Sequence, residues 1–203
     1  MRFTSNHRLV TLHALAIAAA LVVAAPAYAG PPLICHPVDI GSTASLPWGS
    51  GSGWDATVSS YDRGRLTADT LRLLAPAASV PVRRETLRRA TLYAARDPRA
   101  ASALLAALVG RVLNGEASGR PDALAWFDAG YLVETYRQAS LVYHWNMLSG
   151  ADRSTWSIKE APQGLDGYAW VQRAVALSGQ QAAMVQAASL IRAENDRVAQ
   201  ASR

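Results

Sequence analysis

The sequence predicts an all-α protein on three observations. From Thr67 onward apolar residues recur at helical spacing, Pro and Asp stand where helices would begin, and no stretch alternates with period two for long enough to propose a sheet. A first helix is expected from about Thr67 to Leu74, closed by Pro76. Pro81 opens a second, with Val82, Thr86, Ala90 and Tyr93 on one stripe and an end near Arg96. Asp97-Pro98 caps and opens a third, whose stripe is Ala101, Leu104, Leu105, Leu108 and Val112 and whose stop is Asn114-Gly115. The connection between these two is so short that they must fold back as a hairpin. Pro121 opens a fourth helix, apolar on nearly every face from Leu124 to Trp145, which belongs in the middle of a bundle. Ser149 to Gly164 reads as a polar loop. Asp166 then caps a fifth helix carrying Tyr168, Val171, Ala174 and Val175, and Gly179 separates it from a sixth carrying Met184, Ala187, Ala188 and Ile191.

The first 29 residues follow a different logic. Arg2 and Arg8 precede an apolar run from Leu9 to Ala25, and Ala27-Tyr28-Ala29 supplies the small-x-small pattern of a signal peptidase site, so cleavage is expected before Gly30. The run is shorter than the roughly 20 residues needed to cross a bilayer. The mature chain is therefore expected to be periplasmic or secreted, with no membrane span after cleavage. Residues 30–64 are rich in Gly, Pro and Ser but also hold Ile34, Val38, Ile40, Leu46, Trp48, Trp54 and Tyr61. A disordered tail rarely carries so many large apolar groups. The expectation is an irregular arm, residues 30–64, anchored by its aromatics onto a helical domain of residues 65–203, with Gly49 to Gly53 as a mobile tip.

Removing 29 of 203 residues leaves 174, a length suited to one domain with its own core. Losing Arg2 and Arg8 takes the net charge from +5 to +3, too little to argue for nucleic acid as a partner. The single cysteine, Cys35, cannot close an intramolecular disulfide, so packing alone must stabilise the fold. Its fates are a buried inert side chain, a disulfide-linked dimer, or a reactive or metal-binding group.

Small residues fall at matching places in three helices: Ala90 in Arg89-Ala90-Thr91, Gly130 four residues after Trp126, and Ala174 four residues after Trp170. A small residue at a helix crossing lets two backbones approach closely. The Trp126/Gly130 pair, with Trp170/Ala174 as a weaker copy, resembles the first helix of tetratricopeptide-type repeats, over at most Pro81 to Asp196. The resemblance implies a short solenoid with a concave surface for a peptide or partner protein; an ordinary helical bundle is the alternative. The partner is expected to meet Arg84, Arg88, Trp126, Tyr131 and Trp170. Arg83, Arg84, Arg88, Arg89, Arg96 and Arg99 gather around the second helix, which reads as a solvated face helped by Glu85 and Arg89 at i, i+4, or as a surface for an anionic partner.

Cys35, His36 and Asp39 are the only crowding of potential metal ligands, a thiolate, an imidazole and a carboxylate. Adjacent Cys and His point apart in an extended segment, and a structural role for Cys35 competes with this reading. Ser189 to Glu194 resembles the segment around the acid of lytic transglycosylases, but the further motifs of that chemistry do not follow, and Glu194 is read as a solvated helix residue. No catalytic residue and no cofactor is assigned. The function expected is an exported helical interaction protein, a scaffold or adaptor for a protein or peptide of the cell envelope. The alternatives are a thiol or metal-binding envelope protein using Cys35 and His36, and a cell-wall-associated enzyme whose cleft the sequence does not reveal.

Overall fold

The computed structural model describes residues 30–51 and 53–201; the leader expected over residues 1–29, Ser52 of the Gly-Ser tip, Ser202 and Arg203 lie outside them. Among the described residues all regular structure is helical, in agreement with the periodicity. The arm contains a single turn, α1 (Pro32–Cys35), and ends in a 3₁₀ turn (Arg63–Arg65) that runs into α2 (Leu66–Leu73). The body continues with α3 (Val80–Ala94), α4 (Pro98–Ala117), α5 (Ala123–His144), α6 (Gly150–Thr155), α7 (Gly167–Leu177) and α8 (Ala182–Ala201).

Side-chain caps mark the starts of α4, α5, α6 and α7. Asp97 accepts from the amides of Arg99 and Ala100, Asp122 from Leu124, Ser149 from Asp152 and Asp166 from Ala169. Each satisfies a donor that the helix cannot, and is worth about 1 kcal/mol. The ends share one device. α4, α5 and α7 stop where Gly119, Asn146 and Gly179 take φ of +66°, +57° and +66°. The amides that follow, of Arg120, Met147 and Gln180, then bond back to Gly115, Val142 and Val175.

This corrects the expected end of α4. Asn114-Gly115 stays helical, because a helical glycine costs only about 1 kcal/mol, and the chain stops at the glycine that adopts a left-handed φ. The polar loop expected over Ser149 to Gly164 also proves partly ordered: it holds α6, followed by Trp156 and Ile158, which plug into the core. The indole of Trp156 donates to the carbonyls of Ala139 and Ile158, so its one polar atom is satisfied inside.

As its all-round apolar sequence predicts, α5 lies in the middle, packed on α1, α3, α4 and α7, with Phe127, Leu132, Ala139 and Val142 fully buried. Its closest neighbour is α7. A Cβ placed on Gly130 would stand 2.8 Å from the carbonyl oxygen of Gly167, and one on Gly167 would stand 2.6 Å from that of Gly130. The two backbones therefore meet glycine to glycine. Just along the crossing, Trp126 and Trp170 meet edge to face at 5.7 Å.

The second helix departs most from expectation. Arg83 is wholly buried: its guanidinium donates to Asp128 on α5 at 2.6 Å and to the carbonyls of Leu74, Ala75 and Ala78 after α2. Carbonyls that leave a helix end without partners need donors, and a guanidinium supplies several at once. The Arg-rich face is thus internal at this point, not solvated.

Replacing Gly130 by Leu should cost about 3 kcal/mol, since backbone lies on the far side and only separation of α5 from α7 makes room. Urea unfolding of wild type and variant measures it; a change of a few tenths would mean the crossing is loose.

Candidate functional site

An arm without a hydrogen-bond ladder has the same polar backbone as a helix and must find partners elsewhere when buried. α3 provides them. Glu85 accepts from the amide of Val38 at 2.9 Å and is gripped by Arg88 through two bonds of 2.8 Å. Arg88 also donates to the carbonyls of Ile34 and Trp54, and Arg89 to that of Leu46. Both guanidinium groups lie over the ring of Trp48, at 4.7 and 5.2 Å. One turn on, the Tyr93 hydroxyl donates to the Pro47 carbonyl at 2.6 Å and accepts from the Val58 amide at 3.0 Å. Arg96 closes the series with Asp55 at 2.7 Å.

The arm is thereby held in register with α3 from Ile34 to Val58, and Leu33, Ile34 and Leu46 enter the core. Burial alone would raise the Glu85 carboxyl, but hydrogen bonds from Arg88, Val38 and Arg89 hold it below the ordinary range.

Where the arm turns away from α3 it leaves a cleft of about 490 Å³ against the ends of α3 and α5 and the start of α6. Trp54, Val58, Met147 and Leu148 give it apolar surface, and Asp55, Arg63, Arg96 and Asp152 give it charge. Arg96 is shared by Asp55 and Asp152, at 2.7 and 3.3 Å. The Ser149 hydroxyl first, with Arg96 behind it, holds the Asp152 carboxyl below its ordinary range. The described residues that line this cleft include neither His nor Cys. Sequence reasoning passed over it because its walls come from three stretches far apart in the chain; only the density of aromatics in the arm hinted at a surface there.

The residues singled out in the sequence are dispersed. Arg88 and Tyr131 are each 1% exposed and so offer a partner no surface. Arg84 is half-buried with its guanidinium 5.9 Å from the centre of the Tyr131 ring. Trp126 and Trp170 are half-buried against each other, and the Trp126 indole donates to Glu116.

Cys35 and Asp39 do not converge. The Cys35 side chain faces inward, whereas Asp39 is exposed and bonds only locally, to the amide of Gly41. Among the described residues no three His, Cys, Asp or Glu side chains come together as a metal site. Pro32, Cys35, His36, Arg84 and Leu190 instead border a second, more apolar cleft of about 540 Å³ between α1, α3 and α8. Burial pushes the Cys35 thiol up to about 12, so it is a neutral thiol, and burial likewise lowers His36.

Glu194 corrects another expectation. It is 4% exposed, on the same stripe of α8 as Met184, Ala187 and Ile191, and Arg197 binds it through both carboxylate oxygens. Its place on that stripe, in step with Ile191 three residues before, was the available signal.

Two outcomes follow from this arrangement. Cys35 should resist a thiol reagent in the folded protein and react after denaturation; fast labelling of the native state would mean that α1 is not docked. Replacing Glu85 by Gln should cost about 3 kcal/mol, because Arg88 is left buried without its counter-charge. A carboxyl whose folded value is depressed stabilises above its unfolded value and loses that contribution as pH falls. The stability gap between wild type and Glu85→Gln, followed by denaturant titration, should therefore be widest above the ordinary glutamate value of 4.5 and narrow below it.

No family model matches the chain, and no curated protein and no solved structure matches it either.

Proposed function

We propose that this is an exported binding protein that takes a peptide segment of a cell-envelope partner in the cleft between the arm and the ends of α3 and α5, without catalysis. The observation that carries the reading is the cleft's construction. Its floor is a fixed lattice in which Arg96 joins Asp55 of the arm to Asp152 of α6, and its walls present Trp54, Val58, Met147 and Leu148 beside those charges. A concave site that mixes a few fixed polar groups with apolar and aromatic wall suits recognition of a chain with alternating side-chain character. The carboxylates favour binding over acid–base work: both aspartates already accept from protein groups, Asp55 from Thr57 and Arg96, Asp152 from Ser149 and Arg96.

Export is supported by the Arg2 and Arg8 flank, the Leu9 to Ala25 run and the Ala27-Tyr28-Ala29 pattern. The tetratricopeptide-like placement of Trp126 and Gly130 fits a binding role by resemblance, though this cleft lies at the arm and not between hairpins.

A photocrosslinking residue in place of Ser59, an exposed position on the cleft wall, tests the proposal against a control at exposed Leu113 on α4. Ser59 should give discrete adducts with an envelope protein and Leu113 none, and filling the cleft by Leu148→Trp should abolish them. Equal labelling at both positions, or adducts that survive the filled cleft, would overturn it.

A further inference from the structure

Among the described residues, the charged groups around the cleft described above are occupied within the protein, with one exception. The guanidinium of Arg96 serves Asp55, Asp152 and the carbonyl of Leu92. Asp55 spends its other oxygen on the hydroxyl of Thr57, Asp152 on that of Ser149, and the Tyr93 hydroxyl both donates and accepts within the protein. Arg63 lines the same cleft and is half-buried, yet its side chain makes no hydrogen bond and no ion pair among the described residues.

Its backbone is held in place. Arg63 opens the 3₁₀ turn, whose start is capped by Asp62 through the amide of Gly64 at 2.9 Å and closed by the Arg65 amide on the Asp62 carbonyl at 3.1 Å. The neighbouring arginines differ: Arg65 and Arg72 point at Asp69 and are largely exposed.

We infer that Arg63 is the specificity-determining residue of this cleft and recognises a carboxylate on the bound peptide; the inference rests on the cleft being the binding site. Arg96 and the hydroxyls already occupy Asp55 and Asp152, and the four charges of the wall sum to zero, so the call for a carboxylate comes from the unused donors of the Arg63 guanidinium and not from a net positive field. A planar guanidinium matches a carboxylate through two parallel bonds. Val58, Met147 and Leu148 line the same cleft, so the residue that carries or adjoins the carboxylate sits beside apolar surface. An acidic side chain flanked by an apolar residue and an apolar C-terminal residue with its free α-carboxylate present the same chemistry.

Fluorescein-labelled hexapeptide pools, with the protein from Gly30 onward, separate the sources by fluorescence anisotropy. One pool ends in free Leu, one in Leu-amide, one carries an internal Glu-Leu with an amidated end, and one has Gln in place of that Glu. At least one carboxylate pool should bind about tenfold or more tightly than its neutral counterpart. Arg63→Ala should erase that preference and leave the thermal midpoint unchanged, since the Arg63 side chain makes no hydrogen bond or ion pair among the described residues. Arg63→Lys should restore part of it.

If the pools bind and Leu148→Trp abolishes binding, but Arg63→Ala keeps the preference, this inference fails and the cleft reading survives. If no pool binds, or binding survives the filled cleft, both fail. Displacement by inorganic phosphate at lower concentration than by acetate would overturn the carboxylate assignment.

Discussion

The structure depends on polar side chains along one helix satisfying the backbone of a segment that has only single helical turns of its own. α3 contributes Arg83, Glu85, Arg88, Arg89 and Tyr93, with Arg96 just past its end, and each reaches a carbonyl, an amide or a carboxylate outside the helix. Without them the arm would bury polar backbone with no partner, at roughly 1 to 3 kcal/mol per group. With them, a stretch rich in Gly and Pro becomes one side of the core. The charges are themselves compensated, Arg88 by Glu85 and Arg83 by Asp128, as desolvated ions must be.

The cleft is a consequence of the same arrangement. From Ile34 to Val58 the arm is bonded to α3 and to Arg96 just past its end; beyond Val58 the chain runs through the 3₁₀ turn into α2. The space left is bounded by the last members of the series, Tyr93 and Arg96, and by α6, which Asp152 ties to Arg96. Fold and candidate site are therefore built from one row of side chains, which gives the cleft rigid charged groups on a loop-rich surface.

Much of the helical body was legible because its punctuation is local. Asp97-Pro98 and Asp166 cap helices through atoms within three residues, and Gly179 ends α7, so short windows suffice; Pro121, read as the start of α5, stands one residue before its cap Asp122. Gly130 was legible as a crossing residue beside Trp126, although its counterpart Gly167 was not, since a glycine after a capping aspartate reads as part of a turn. α1 and α6 are too short to display a period. Arg83 and Arg88 were read as surface residues, solvated or facing an anionic partner, because a helix bearing that many arginines normally faces water; contacts outside the helix, to Asp128 and the end of α2 for Arg83 and to the arm for Arg88, bury them. Glu194 escaped for a similar reason: its identity suggested exposure while its position in the stripe pointed inward. The cleft, assembled from three separate stretches, leaves no pattern in any one of them.

The central claim, that α3 anchors the arm, is tested most directly by native-state hydrogen exchange at the amides of Val38 and Val58, which bond to Glu85 and to Tyr93. If the arm is part of the cooperative fold, both amides exchange only as slowly as those in the middle of α5, and they share its dependence on denaturant. Exchange near the unprotected rate at both amides, with α5 still protected, would show that the arm detaches freely and would contradict the account.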